Sequence, residues 1–263
     1  MNEIYRLILE ALSGGEAVAV CTVIRHRGSV PRRSGSKMLV YADGRIQGSV
    51  GGGELESRVL EVALDALRDG QPRTLSYSMA DPVRGDPGVC GGSLEVYVEP
   101  VQPEPTIVVA GGGHVGRAVV SLAAWLGYRV VLTDDRPDFC NPEAVPGADT
   151  YICCPLSELA QRMKITPYTY LILTTRNVGV DVEGLPDLLE RPAAYFGVIG
   201  SKRRWQTARD KLQQMGVPED RLARVNSPMG LELNAETPEE IALSILAEIV
   251  MLRRGGDGAR MGA

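Results

Sequence analysis

An arginine-rich loop near the N-terminus contains residues that could bind an anion. The loop, RHRGSVPRRSG at residues 25–35, and the following Lys37 fall within residues 17–42, where there is no Asp or Glu. Arg32, Arg33 and Lys37 are therefore candidate contacts for a phosphate or a similar anion. A solvated basic loop is the alternative interpretation.

A glycine-rich loop follows and leads directly into a predicted helix. Gly51, Gly52, Gly53 and Glu54 precede an apolar helical pattern over residues 55–67 that ends before Gly70. Glycines let a backbone approach a ligand, and a helix N-terminus presents unpaired N–H groups and positive partial charge. The loop is either an anion cradle or a flexible turn. It has neither the lysine nor the spacing of a P-loop.

Cys90 is the candidate reactive thiol of the chain. It lies between glycines in the loop GVCGG, where small neighbours would leave its sulfur accessible to a ligand or a metal. Cys21, in an apolar strand, is expected to be a core residue. Five cysteines without a C-x-x-C spacing argue against a disulfide framework, and two histidines make a zinc site of the usual kind improbable.

A second glycine motif predicts a dinucleotide-binding turn. Gly111, Gly113 and Gly116 satisfy G-x-G-x-x-G between a buried strand and a helix, with His114 inside the motif. Asp134 ends the next strand, 23 residues after Gly111, where an acid can hold a ribose hydroxyl. A carboxylate there favours NAD over NADP, although Arg136 could offset its charge.

The elements that must position these residues predict two domains. Before residue 100, predicted strands over 17–24, 36–41 and 94–98, an amphipathic N-terminal helix and the helix after the glycine loop indicate a mixed α/β domain. After residue 106, strands alternate with helices, which is typical of a doubly wound parallel sheet. The proline-containing stretch 99–105 separates domains at 1–100 and 106–263. Ser201 and Lys202 begin a helix after the last predicted strand and are further candidate anion contacts.

Composition excludes several classes of protein. The 263 residues are 44% hydrophobic and 23% charged, which is ordinary for a globular protein. A net charge of -5 argues against nucleic acid as a partner. No apolar run is long enough to span a membrane and the N-terminus does not resemble a secretory signal, so we expect a cytoplasmic protein without membrane contact.

Several motifs in this order resemble the XdhC/CoxI family. They are GSVPRRSGSKMLVYADGRIQGSVGGGELE, GVCGG, GGGHVG, VIGSKRR and SPMGLELNAETPEEIALSILAEIV. The resemblance implies an accessory protein that binds molybdenum cofactor (molybdopterin), holds it while a cysteine desulfurase supplies the sulfido ligand, and assists its insertion into a molybdenum hydroxylase such as xanthine dehydrogenase. It is also compatible with a homodimer.

One departure from the family pattern bears on chemistry. Where the family commonly reads Thr-Arg-x-His-x-x-Asp, this chain has Val178 at the histidine position, between Arg176 and Asp181. Arg176 and Asp181 remain candidate cofactor contacts, and no catalytic residue is assigned. The alternatives to a cofactor chaperone are an NAD(P)-dependent oxidoreductase, which leaves the arginine loop unexplained, and a pure scaffold, which needs neither cradle nor thiol.

Overall fold

The computed structural model describes residues 2–78 and 92–262. The chain divides into two compact units, Met1–Pro103 and Glu104–Ala263. Each unit has its own hydrophobic core. The first unit contains an antiparallel sheet and the second a parallel one, so the predicted fold class is confirmed.

The first unit is a five-stranded antiparallel sheet with helices on its two faces. Its elements are α1 (Asn2–Ser13), β1 (Val18–Arg27), β2 (Lys37–Tyr41), β3 (Ile46–Gly48), α2 (Gly53–Asp69), β4 (Arg73–Ser78) and β5 (Ser93–Val101), and the strand order is β3-β2-β1-β5-β4. Alternate β1 residues point to opposite faces: Cys21 and Val23 join a core with Val59 of α2, whereas Val18 and Val20 join one that α1 packs against.

Local sequence accounts for the turns of this unit. Asp43 and Gly44 form the hairpin between β2 and β3, where Gly44 has φ +84° and Asp43 accepts a hydrogen bond from Arg45 N. Gly70 ends α2 in the left-handed conformation. Two features differ from the prediction: β4 has no counterpart in it, and β5 continues into the proline-containing stretch as far as Val101 because its residues pair with β1.

The second unit is a six-stranded parallel sheet. Its elements are β6 (Thr106–Ala110), α3 (His114–Trp125), β7 (Arg129–Asp134), β8 (Thr150–Cys153), α4 (Leu159–Arg162), β9 (Thr169–Leu173), α5 (Val178–Leu189), β10 (Tyr195–Val198), α6 (Lys202–Gln214), α7 (Glu219–Leu222), β11 (Val225–Asn226) and α8 (Pro238–Arg254). The order β11-β10-β9-β6-β7-β8 reverses between β6 and β9, where doubly wound sheets bind ligands at the carboxyl ends of their strands.

Helices cover both faces of this sheet. α3 and α8 contribute Val119, Val120 and Ile245 to a core with Val109 and Ile172 on one face. α5 and α6 contribute Leu185 and Leu212 to the core on the other face. A capping box begins α8: the Thr237 hydroxyl accepts from Glu240 N, and the Glu240 carboxylate accepts from Thr237 N. No helix within the described ranges is both long and apolar enough to cross a bilayer.

Candidate functional site

The arginine loop of the first unit leads from β1 to β2, and three of its four arginines have no acidic partner among the described residues. Hydrogen bonds from Gly35 N to Val23 O (2.8 Å) and from Val23 N to Ser36 O (3.0 Å) close its base. Arg27, Arg32 and Arg33 are exposed, and no acid pairs with any of them in residues 2–78 and 92–262. The loop therefore offers three free guanidinium groups.

Arg25, the first residue of the loop, and Lys37, just after it, already have partners. Arg25 lies 3.4 Å from a carboxylate oxygen of Glu95. Lys37 donates to the Thr22 hydroxyl at 2.8 Å, a bond that joins β2 to β1. Lys37 is thus tied to the sheet, and Arg32 and Arg33 are the better candidates for contact with a ligand.

The arginine loop contacts two of the predicted glycine segments. A Cβ atom on Gly51 would lie 3.1 Å from Cγ of Pro31, and one on Gly92 would lie 2.3 Å from the carbonyl oxygen of Ser29. Both glycines are therefore required for these close approaches. The structure brings the arginine loop, the glycine loop and the end of the GVCGGS segment together in one unit.

The carboxylate of Glu56 lies beside the amide groups of the glycine loop, where the anion cradle was predicted. Burial alone would raise the pKa of Glu56, but the Ser49 hydroxyl and the backbone N–H groups of Gly52, Gly51 and Val50 lower it below its usual value. Its Oε1 is buried and has no hydrogen-bond partner. The anion held at the start of α2 is thus a carboxylate three residues into the helix, and the free positive charge lies on the arginine loop instead.

The remaining candidates of this unit are Glu54, Gly53 and the cysteines. Glu54 forms an ion pair with Arg58, and the Tyr77 hydroxyl lies 3.4 Å from its other oxygen. Gly53 begins α2 with open space around its Cα. Burial raises the pKa of the Cys21 thiol to about 12, which leaves it protonated and unreactive at neutral pH. Cys90 lies outside the described residues.

In the second unit, the three glycines of the G-x-G-x-x-G turn have three different surroundings. A Cβ on Gly111 would lie 2.6 Å from the Thr174 carbonyl, and one on Gly116 would lie 1.8 Å from the Gly111 carbonyl. A Cβ on Gly113, by contrast, would meet nothing within 4 Å, and this N-cap of α3 has no side chain bonded to the helix amides. The first and third glycines allow close packing, and the second leaves room for a ligand.

A shallow pocket lies at the carboxyl ends of β6, β7 and β9, and its space of about 310 Å³ is largely open to solvent. Asp134, at its edge, is buried and uses both carboxylate oxygens within the protein. Oδ2 accepts from Gly112 N, and Arg136 donates to both oxygens, each at 2.9 Å. Asp134 therefore holds the glycine turn in place, and a ribose hydroxyl would have to share an acceptor that is already in use.

Arg176 and Asp135 form a second ion pair at the same pocket. Two guanidinium nitrogens of Arg176 donate to the two oxygens of Asp135, one at 2.8 Å. The bond from Arg176 lowers the pKa of Asp135 to about 2. The pocket is thus edged by two pairs of opposite charge, and Asp135 competes with an anionic ligand for the charge of Arg176.

Asp181 is fully buried and cannot present a carboxylate to a ligand. It accepts a hydrogen bond from the Thr175 hydroxyl and one from Arg204 Nη2 at 2.8 Å, and the same Nη2 bonds to the Thr175 hydroxyl and carbonyl. Arg204 Nε is buried without a partner. The structure therefore corrects the prediction: Asp181 positions Thr175 and Arg204, since a buried charge needs a partner in the protein.

Ser201 and Lys202 lie at the start of α6, next to this network. The Ser201 hydroxyl accepts from Arg204 N at 3.3 Å and so caps the helix, and Lys202 is exposed. His114 is also exposed, but it lines a groove between α3 and α8 and is not among the residues around the 310 Å³ pocket. In the described part of the chain, no three His, Cys, Asp or Glu residues are arranged to hold a metal ion.

Sequence reasoning missed the roles of Glu56, Thr175 and Arg204. An acid within the first turns of a helix that follows a glycine loop is a signal for Glu56, because such a carboxylate can reach back to free amides. Nothing in the sequence indicates that Thr175 and Arg204 meet, since 29 residues separate them.

Known proteins share both units. The chain matches the XdhC and CoxI family over residues 11–78 and the XdhC Rossmann domain over residues 107–249. It is 36% identical to the Escherichia coli protein YqeB over 248 residues, and 28% identical over 162 residues to a Bacillus subtilis protein named as a probable xanthine dehydrogenase subunit. These matches span 92% and 62% of this chain but 45% and 47% of those two relatives, so the chain spans about half their length.

Two further relatives match along nearly their whole length. The molybdenum cofactor insertion chaperone PaoD of Escherichia coli is 24% identical over 282 residues, which are 95% of this chain and 88% of PaoD. A crystal structure described as a xanthine dehydrogenase from Bacillus halodurans superposes with a TM-score of 0.52 and 25% identity, over 96% of both chains. This chain belongs to the XdhC and CoxI family.

Proposed function

We propose that this chain binds molybdenum cofactor and acts as an accessory factor that holds it for insertion into a molybdenum hydroxylase of the xanthine dehydrogenase type. The names of two relatives, an insertion chaperone and a probable xanthine dehydrogenase subunit, support this role. A cysteine desulfurase as sulfur donor, a cytoplasmic location and a homodimeric state are further parts of the proposal.

The observation that carries the proposal is the set of free guanidinium groups between the two glycine segments. Molybdenum cofactor has a phosphate, and Arg32 and Arg33 offer charge-assisted hydrogen bonds with no internal acid to compete among the described residues. Gly51 and Gly92 allow their segments to approach the loop closely. The residues therefore fit the anionic end of the cofactor, and Cys90 is the proposed thiol contact, two residues before Gly92.

The chain's residues favour holding the cofactor over turnover. When bound, the cofactor supplies the redox-active metal centre that the hydroxylase later uses. At the family's histidine position Val178 begins α5 with a side chain that cannot transfer a proton, and Asn177 caps that helix by accepting from Val180 N. We therefore assign no catalytic residue.

Metal and pterin analysis tests the proposal. Protein purified without oxygen from cells that make the cofactor is expected to contain molybdenum and pterin in equal amounts. Arg32→Ala/Arg33→Ala should weaken retention by about tenfold or more, because each lost charge-assisted bond costs roughly 1.5 to 3 kcal/mol. The control, Arg6→Ala/Arg68→Ala, removes the same charge from α1 and α2. Equal retention by the two variants would contradict the role of the loop.

Cys90→Ser tests the thiol separately. We expect the molybdenum content to fall while the melting temperature stays unchanged, and Cys21→Ser provides a contrast because it should alter stability. An unchanged molybdenum content in Cys90→Ser would remove this residue from the site.

A nucleotide site in the second unit is the other candidate, as it would be in an NAD(P)-dependent oxidoreductase. The open space at Gly113 and the uncapped amides of α3 favour it. Arg136 neutralises Asp134, so the expected preference for NAD over NADP loses its physical basis. Saturation binding of NAD(H) and NADP(H) tests the site. Tight nucleotide binding without bound molybdenum would favour the oxidoreductase over the chaperone.

A further inference from the structure

The strand β1 contains a β-bulge that decides on which face of the sheet His26 lies. The ladder with β5 pairs Val23 with Val96 and, after the extra residue Ile24, pairs His26 with Leu94. Val23, Val96 and Leu94 all belong to the core that α2 covers, and residues directly opposite each other share a face of the sheet. The bulge therefore turns His26 to the core face, whereas an unbroken alternation would place it on the opposite face.

The face on which His26 lies also carries the glycine loop. A Cβ atom on Gly51 would lie 4.0 Å from Cδ1 of Leu94, the cross-strand neighbour of His26. Cβ atoms on Gly52 and Gly53 would meet nothing within 4 Å. The histidine thus belongs to the side of the sheet on which the arginine loop meets the glycine loop, and open space lies beside Gly52 and Gly53.

The arginine loop fixes the tautomer of this histidine. Ser34 N donates to His26 Nδ1 at 3.3 Å, and the Ser34 hydroxyl lies 2.9 Å from the same nitrogen. A backbone N–H can only donate, so Nδ1 carries no proton and the proton of the neutral ring is on Nε2. Within residues 2–78 and 92–262, this Nε2–H has no hydrogen-bond partner. A free donor is therefore held beside Ser34, the residue that directly follows Arg33.

We infer that His26 is a further contact for the ligand of the arginine loop, and that its Nε2–H donates to a phosphate oxygen. The inference rests on the proposed function, since the phosphate is the one that Arg32 and Arg33 bind there. Arg33 attracts the phosphate by charge, whereas the imidazole, held at Nδ1, offers one N–H in a fixed direction and so orients the phosphate. A metal ion does not suit this ring, because metal binding at Nε2 would move the proton to Nδ1 and set it against Ser34 N–H.

NMR of the full chain with isotope-labelled histidine tests the free donor. The chain has two histidines, and His114→Asn assigns their signals. At mildly alkaline pH, where histidine side chains are neutral, the spectrum of His26 should show its proton on Nε2. Inorganic phosphate should shift the Nε2 signal until it saturates, and in Arg32→Ala/Arg33→Ala the shift should require much more phosphate. A proton on Nδ1, or an Nε2 signal that phosphate does not move, would overturn the inference.

Three substitutions of His26 separate ligand contact from closure of the loop. In His26→Gln the amide nitrogen reaches the position of Nε2, whereas in His26→Asn the amide oxygen replaces Nδ1 and can accept from Ser34 N. His26→Phe has neither group. Calorimetric titration with inorganic phosphate should show about tenfold weaker binding for His26→Asn and His26→Phe, and a loss of less than about threefold for His26→Gln. Wild-type affinity in His26→Asn, or equal losses in His26→Gln and His26→Phe, would overturn the inference.

The molybdenum and pterin contents of the same variants distinguish this inference from the proposed function. If Arg32→Ala/Arg33→Ala loses the cofactor and His26→Asn retains it fully, the loop holds the cofactor without His26 and only the inference fails. If the arginine variant also retains it fully, the proposed role of the loop fails as well. Melting temperatures check that each variant folds, and the NMR experiment needs no substitution at His26, so it decides the question even if a variant does not fold.

Discussion

Two carboxylates of the second unit, Asp134 and Asp181, have roles that differ from those their sequence patterns predict. Asp134 and Asp181 are the acids that sequence patterns offer as ligand contacts, yet each bonds to an arginine of the same chain. A buried carboxylate without a partner is costly, so the fold supplies one. In the structure Asp134 holds the glycine turn in place, and Asp181 holds the segment that follows β9.

Removal of Arg204 should destabilise the second unit. Arg204→Ala leaves Asp181 buried with only the Thr175 hydroxyl, and breaking a buried pair from one side costs about 3 kcal/mol or more. Urea unfolding of Arg204→Ala and of the wild type measures the loss in free energy of unfolding. The neighbouring Arg203→Ala serves as the control, since Arg203 is exposed, and should change the free energy of unfolding by less than about 0.5 kcal/mol. Similar values for both variants would contradict a structural role of the network.

The pair of Arg176 and Asp135 should give stability a dependence on acid pH. The pKa of Asp135 is about 2 in the folded chain and near 3.9 when unfolded, so the pair stabilises the fold above about pH 4. That contribution is lost as the pH falls from about 4 through 2. In Arg176→Gln the pKa of Asp135 should rise toward its unfolded value, which NMR titration of the carboxyl carbon measures. An unchanged pKa would show that the pair does not persist in solution.

In the turn between β6 and α3, two glycines are required for close packing and the third lies beside open space. Gly111 and Gly116 lie against backbone atoms, whereas Gly113 faces open space with φ −69°, a value that any residue adopts. Their different surroundings make the turn testable one residue at a time. Substitutions at these positions therefore distinguish the glycines that the fold requires from the one that ligand binding would require.

Two alanine substitutions distinguish these roles. Gly116→Ala places a Cβ 1.8 Å from the Gly111 carbonyl and should cost more than about 2 kcal/mol in unfolding free energy. Gly113→Ala should fold normally, within about 0.5 kcal/mol of the wild type, while any nucleotide binding to the turn weakens. Denaturant titration and nucleotide binding are measured for both. Loss of stability in Gly113→Ala would contradict the open surroundings of that residue.

At the scale of the whole molecule, the two units have separate cores and separate family matches. The antiparallel sheet buries its faces under α1 and α2, and the parallel sheet is covered on both faces by its own helices. A unit that buries its own apolar surface can fold by itself.

Residues 1–103 and 104–263 expressed separately should therefore each unfold in one cooperative transition. The whole chain should show both transitions in calorimetry, and Arg204→Ala should lower only the one that belongs to 104–263. An unfolded fragment, or a shift of both transitions by this substitution, would contradict independent folding.

Local patterns in the sequence predict much of the secondary structure. Alternation and helical periodicity locate β1, β2, α2, β6 and α3, and glycines mark where helices begin or end, because these features arise from neighbouring residues. It also established the family. The strands β11 and β4 were not predicted, because their residues form strands only by pairing with β10 and β5.

Which charges are free depends on contacts that only the folded chain makes. Arg32 and Asp134 look equally available in the sequence, yet Arg32 has no acidic partner among residues 2–78 and 92–262, whereas Asp134 is held by Gly112 N and Arg136. The same holds for the glycine loop, whose amides lie beside Glu56, and for Thr175, Asp181 and Arg204, which come from the end of β9, from α5 and from α6. Hydrogen bonds and ion pairs act over a few ångströms in space, and separation along the chain does not specify that distance.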